Sequence, residues 1–318
     1  MRFSRLASIA LLALSAGGCE LAEVTTVAGE DVLVVEAVLR TDMDPQRVLL
    51  HRTLDGRSVG PVEGATVTVT DEQGITRKFV PGGDCFRIDR RYFETDSIAF
   101  AGTCYASPPV AALWVHPGET YELRVETAEG EVVRGRTTVP GQFGLKGLPY
   151  DTRDRSPARI CFIRPGTRLP ISWTESEGAW SYISQLRITG LRRALEPQGI
   201  GAPEPLELRG LSLSQTDTDI VLPSEFGVFE RFQLDQELLT ALQDGFPNDV
   251  GMELVVAAAD RNWVNGVRGG SFNPSGQVRV SSVVGDGIGV FGSLVPLRTI
   301  ILVRPQATTV QPCDVDDL

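Results

Sequence analysis

Hydrophobic and polar positions along this chain recur mostly with the two-residue period of strands, and seldom with a helical one. Val32-Leu33-Val34-Val35-Glu36-Ala37-Val38-Leu39 is short, apolar and β-branched, which predicts a buried strand, with 48–53 as its neighbour. Across 64–70 valine and threonine alternate strictly, placing Val67 and Val69 on one face of a half-buried strand. Asp71-Glu72-Gln73-Gly74 then turns the chain into a returning strand at 75–80. The stretch 81–109 breaks this pattern with early glycines, charges and two cysteines, and reads as an irregular insertion. Strand patterning resumes at 110–115, and 121–126 with 131–139 form a hairpin turned at Glu129-Gly130.

Prolines and glycines crowd 140–158, so a linker is placed at 141–158 between two domains. Beyond it strands are predicted at 169–174, 180–188, 206–213, 218–222, 252–258, 277–284, 289–295 and 299–303. One helix is expected at 235–243, where Leu238, Leu239 and Leu242 share a face and Gly245 follows as the stop. Many short strands and one helix predict an all-β chain of two β-sandwich domains, immunoglobulin-like or transthyretin-like, at 31–140 and 159–318. A length of 318 residues suffices for both cores.

The first nineteen residues follow a different logic. Arg2 and Arg5 precede an apolar run from Leu6 to Leu14, then Ser15-Ala16-Gly17-Gly18-Cys19. That order predicts a secretory signal peptide at 1–18, cut beside Cys19. Small residues before a cysteine mark a bacterial lipoprotein box, although Ala16 stands where leucine is usual. Cys19 is therefore the expected lipidation site, and 19–30 a polar tether to a membrane. Cleavage would move the net charge from −11 to −13, because Arg2 and Arg5 leave and no acid does. Such a balance speaks against nucleic acid as a partner.

Acylation of Cys19 leaves Cys85, Cys104, Cys161 and Cys313, an even set that suggests two disulfides in an oxidising compartment. Four thiols allow three pairings; keeping each bridge within one domain predicts Cys85 with Cys104 and Cys161 with Cys313. No C-x-x-C pair exists, so a metal site is not expected, and no cofactor is implied.

Signals for chemistry are sparse. His51 and His116 are the two histidines, and neither lies in a G-x-S-x-G or H-E-x-x-H setting, so no catalytic residue is assigned. Asp42 with Asp44, and Asp217 with Asp219, lack the rest of a calcium loop. Gly287-Ile288-Gly289-Val290-Phe291-Gly292 matches the dinucleotide fingerprint, yet strands follow it and too little chain remains for a βαβ unit. Its glycines are expected to allow a bulge or tight strand packing. Trp114, Trp173, Trp180 and Trp263 could stack on carbohydrate; Trp263, in a polar stretch with Asn262 and Asn265, is the expected exposed ligand-binding candidate.

The cysteine-led start, Val34-Val35-Glu36-Ala37-Val38-Leu39, His51-Arg52-Thr53, Gly64-Ala65-Thr66-Val67, Pro117-Gly118-Glu119-Thr120-Tyr121-Glu122-Leu123 and Gly287–Ser293 together resemble an uncharacterised family of Gram-negative envelope lipoproteins. Residues 60–140 separately resemble the transthyretin-like or carboxypeptidase regulatory-like sandwich. Genes of this family commonly lie beside those of TonB-dependent outer-membrane receptors. The resemblance implies a non-enzymatic, lipid-anchored outer-membrane protein, on the cell-surface or periplasmic face. It would serve as an accessory or ligand-binding subunit of TonB-dependent nutrient uptake. A structural or adhesive envelope protein that binds polysaccharide or another cell is the alternative, and a hydrolase using His51, His116 or paired carboxylates is a third reading. No catalytic residues are carried over from the family.

Overall fold

A computed structural model describes residues 31–54, 58–83, 85, 102–110, 112–153, 159–212, 216, 218–222, 236–268, 281–306 and 309–314. Cys19, the signal segment, the tether and Asp217 lie outside them. The architecture is all-β, dominated by one long hydrogen-bonded series of strands that folds into facing layers.

In the first half, β1 (Val32–Arg40) pairs antiparallel with β2 (Arg47–Leu54), which also holds β3 (Ser58–Pro61) and β6 (Thr103–Ala106). Facing this layer, β4 (Thr66–Asp71) sits between β5 (Thr76–Pro81) and β7 (Thr120–Glu126), and β8 (Val132–Thr138) pairs with β7. Alternation decides the inner faces. Val67, Val69, Leu123, Val125 and Val133 meet Leu33, Val35, Ala37, Val48 and Leu50, all fully or almost fully buried in one core. Burial of this kind contributes about 1.5–3 kcal/mol per large aliphatic side chain.

Two expectations for this half change. Residues 112–115 form no strand; prolines flank the segment, and β6, unforeseen inside the insertion, takes the ladder between β2 and β5. Trp114 instead buries its ring edge-on against Tyr121 at 5.7 Å, under the Arg77 guanidinium.

The second half is built on β11 (Ser181–Thr189), with β12 (Leu206–Leu211) on one side and β14 (Gly251–Ala259) on the other. A two-stranded sheet of β10 (Leu169–Ser172) and β13 (Asp219–Leu222) stands apart from this ladder, and its Leu169 and Ile171 enter the same core. Phe143, Leu145 and Leu148, within the expected linker, also enter the core, where Phe143 and Trp173 flank Tyr182. Three helices are described rather than one: α1 (Leu191–Leu195), α2 (Gln236–Leu242), which matches the expected helix, and α3 (Arg261–Arg268).

The last long strand, β16 (Gly287–Val303), joins the halves and replaces the two strands expected at 289–295 and 299–303. Its residues 287–294 run parallel to β1, while 294–302 run antiparallel to β14. The short β9 (Ile160–Ile163) pairs with its end, and β15 (Val283–Gly285) pairs with β8. Residues 283–294 thus follow the second half in sequence and pair with the first. Pro296 is tolerated because it falls after the β1 ladder ends at Leu294 and before β9 begins at Ile300. Disulfides join Cys85 to Cys104 and Cys161 to Cys313, the pairing expected from their positions.

The glycine motif is a packing device within this strand. A Cβ on Gly289, whose φ is +141°, would lie 1.9 Å from the Val35 carbonyl oxygen, and one on Gly292 would lie 2.8 Å from the Trp263 amide nitrogen. Those contacts are strand against strand and strand against helix, with no phosphate cradle.

Candidate functional site

β11 and β14 are paired through Ser181 and Ala259, so the residues just beyond, Trp180 and Asp260, emerge side by side at one end of the sheet. The Trp180 amide donates to the Ala259 carbonyl at 2.8 Å, which holds the backbone at this point. The preceding turn is fastened as well. Gly178 adopts a left-handed φ of +75°, the Ser176 hydroxyl donates to the Gly141 carbonyl, and the Gly141 amide donates to the Glu177 carbonyl.

Asp260 starts α3. Its Oδ1 accepts the Trp263 amide at 2.8 Å, an N-cap that satisfies one of the free amides of the first turn. Its Oδ2 accepts the Thr137 hydroxyl at 2.5 Å, and Thr137 Oγ1 lies 3.0 Å from Ser293 Oγ. One carboxylate therefore ties β8 of the first half to α3 and β16. Burial pushes the Asp260 carboxyl above the usual carboxylate range, opposed by hydrogen bonds from Thr137 and the backbone amides.

The sequence candidates on α3 are used for packing. Trp263 is 4% exposed, in a cluster with Ile183, Ala257, Ala259, Val264 and Leu294, and is no exposed platform. By sequence the polar stretch 260–266, with Asn262, Asn265 and Gly266, reads as a loop. The cap supplied by Asp260 and the apolar face of Trp263 and Val264 make it a helix. Gly266 is needed, since a Cβ there would stand 2.5 Å from Val290. Asn262 spends its side-chain amide on the Arg136 and Phe291 carbonyls, and Asn265 is half-buried.

Trp180 is the tryptophan that reaches the surface. It is 36% exposed, against 3–5% for Trp114, Trp173 and Trp263. The Arg261 guanidinium carbon lies 4.8 Å from its ring centroid. Trp180 was legible as one of four tryptophans; its pairing with Arg261 was not, because it depends on the β11–β14 register. Trp180 and Arg261 together form an aromatic and cationic surface at this end of the sheet.

The other candidates are dispersed. His51 is buried, with Nε2 3.8 Å from Glu36 Oε1, and His116 is exposed. Asp42 pairs with Arg40 at 2.6 Å, and Asp44 accepts the Val110 amide. Among the described residues no cluster of three or more His, Cys, Asp or Glu side chains could hold a metal ion.

Among solved structures, alpha-2-macroglobulin from Escherichia coli is 11% identical over 87% of this chain and 16% of its own, at a TM-score of 0.21. Fibronectin(III)-like modules of Clostridium thermocellum CbhA are 10% identical over 86% and 94% of the two chains, at 0.21. A DUF4785 family protein from Legionella pneumophila is 12% identical over 70% and 51%, at 0.22. Superpositions this loose carry no argument. No curated protein matches the chain. The sequence profile of the family described as "Domain of unknown function (DUF4249)" matches residues 21–244, which is most of the chain, and the protein belongs to that family.

Proposed function

We propose that this protein is an outer-membrane lipoprotein, acylated at Cys19, that serves without catalysis as an accessory or ligand-binding subunit of a TonB-dependent nutrient-uptake system. The order Arg2, Arg5, apolar run, small residues and Cys19 carries the reading. The disulfides support it: Cys85, Cys104, Cys161 and Cys313 pair with one another, so none of them competes with lipid for the fifth cysteine, Cys19. A binding role suits side chains displayed on a rigid frame, as Trp180 and Arg261 are.

The test is a mild-detergent pull-down of the native protein from its own membranes, with mass spectrometry of the amino-terminal peptide and of whatever accompanies it. An acylated Cys19 and a stoichiometric TonB-dependent barrel are expected. An unmodified Cys19 would overturn the anchoring, and recovery of the acylated protein alone would overturn the accessory role.

A further inference from the structure

We propose that Trp180 and Arg261 form a binding site for a saccharide that carries a carboxylate. The proposal deepens the ligand-binding half of the function above by naming the class of ligand, and it is independent of any receptor partner.

An indole left 36% exposed forgoes burial that the three other tryptophans obtain. Its position is nevertheless fixed, by the Ala259 carbonyl on one side and the fastened 176–178 turn on the other. The Arg261 backbone is held too. Arg261 is the first residue of α3, directly after the capping Asp260, and its guanidinium lies over the Trp180 ring. The backbone carrying both groups is thus held before a ligand arrives, which lowers the entropic cost of binding.

The Arg261 guanidinium selects the ligand. Arg40, Arg52, Arg77, Arg124, Arg187, Arg298 and Arg304 each pair with an aspartate or glutamate. Arg261, like Arg134, Arg136, Arg159, Arg164 and Arg193, has no carboxylate partner among the described residues; what sets it apart is its place over a partly exposed indole. Its planar fork can take a carboxylate through two parallel N–H donors. The part of the Trp180 ring that Arg261 leaves uncovered offers an apolar surface to the C–H face of a pyranose. A sugar ring bearing its own carboxylate satisfies both demands at once. A neutral sugar leaves the guanidinium unmatched, and an acidic peptide has no flat C–H face to lay on the indole. A polyphosphate likewise has no C–H face to lay on the indole.

The mature protein in detergent would be titrated with oligogalacturonate and with neutral galacto-oligosaccharide of equal length, by calorimetry and tryptophan fluorescence. Oligogalacturonate is expected to bind about tenfold or more tightly than the neutral sugar, a preference that salt reduces. Trp180→Ala should abolish binding of both sugars. Arg261→Met should remove the preference, and Arg261→Lys, which keeps the charge without the fork, should retain part of it. No binding of oligogalacturonate by the wild type, unchanged binding by Trp180→Ala, or equal binding of polyglutamate would each overturn the proposal. Recovery or loss of a receptor in the pull-down leaves all of these results unaffected.

Discussion

Replacing Asp260 tests whether one carboxylate joins the halves of the fold. Asp260→Ala removes the acceptor of the Trp263 amide and of the Thr137 hydroxyl, both in a buried setting. Loss of an N-cap costs about 1 kcal/mol, and an unsatisfied buried hydroxyl about 1–3 kcal/mol. Ser293 Oγ, 3.0 Å from Thr137 Oγ1, can take over part of the second term. The total is about 2–4 kcal/mol, or roughly a 1 M drop in the urea midpoint for an m-value of about 3 kcal/mol/M. Asp260→Asn keeps a strong capping side chain and removes the burial cost of a charge, so it should stay within about 1 kcal/mol of wild type at neutral pH. Folded Asp260 holds its proton more tightly than the unfolded chain does, because burial raises its pKa. Its contribution is therefore fullest below the ordinary carboxylate range and is lost as pH rises through the raised folded value. Wild-type stability measured against Asp260→Asn should fall across that window in urea titrations followed by tryptophan fluorescence. If Asp260→Asn costs as much as Asp260→Ala, or if the two pH profiles run parallel, the reasoning fails.

Other perturbations probe the strands and bridges. Gly289→Ala forces a Cβ against the Val35 carbonyl at a left-handed φ and should cost about 3 kcal/mol or more, whereas Gly201→Ala, with nothing within 4 Å, should be near neutral in the same thermal melts. By loop-closure entropy the Cys161–Cys313 bridge, 152 residues apart, should contribute about 5 kcal/mol and Cys85–Cys104, 19 apart, about 3 kcal/mol; double serine variants of each pair, compared in denaturant, would reveal the order. At Asp71, burial raises the pKa, but hydrogen bonds from Arg77 and the Ile75 amide outweigh it and leave the carboxyl below its usual value. That stabilisation is present above the ordinary carboxylate range and lost as pH falls through the depressed value, so Arg77→Met should shift the onset of acid unfolding to higher pH. An unchanged onset by circular dichroism would remove Arg77 from the explanation.

Legibility in the sequence tracked how local the deciding interaction is. β4 and β7 were readable because strict alternation settles their faces without reference to a partner. α2 was readable from Leu238, Leu239 and Leu242 followed by Gly245. α3 was not, since its residues are poor helix formers and its stability comes from an aspartate cap and an apolar face packed on β16. The tryptophans were counted correctly as candidates and ranked wrongly, because exposure of a side chain depends on what the distant chain lays over it. Trp263 is covered at the helix–sheet contact, whereas Trp180 stands at the end of a strand pair.

By itself the sequence determined the class of fold, the positions of most strands, the pairing of four cysteines and the absence of a βαβ unit around the glycine motif. The pairing follows from keeping each bridge within one half of the chain, and the rest from side-chain period and backbone chemistry over a few residues. Tertiary structure alone decided that one strand, Gly287–Val303, serves both halves, with parallel pairing at one end and antiparallel at the other. It also decided that Asp260 meets Thr137, and that Trp180 meets Arg261. Those contacts span up to 123 residues of chain and arise from the register between strands, which no local pattern encodes.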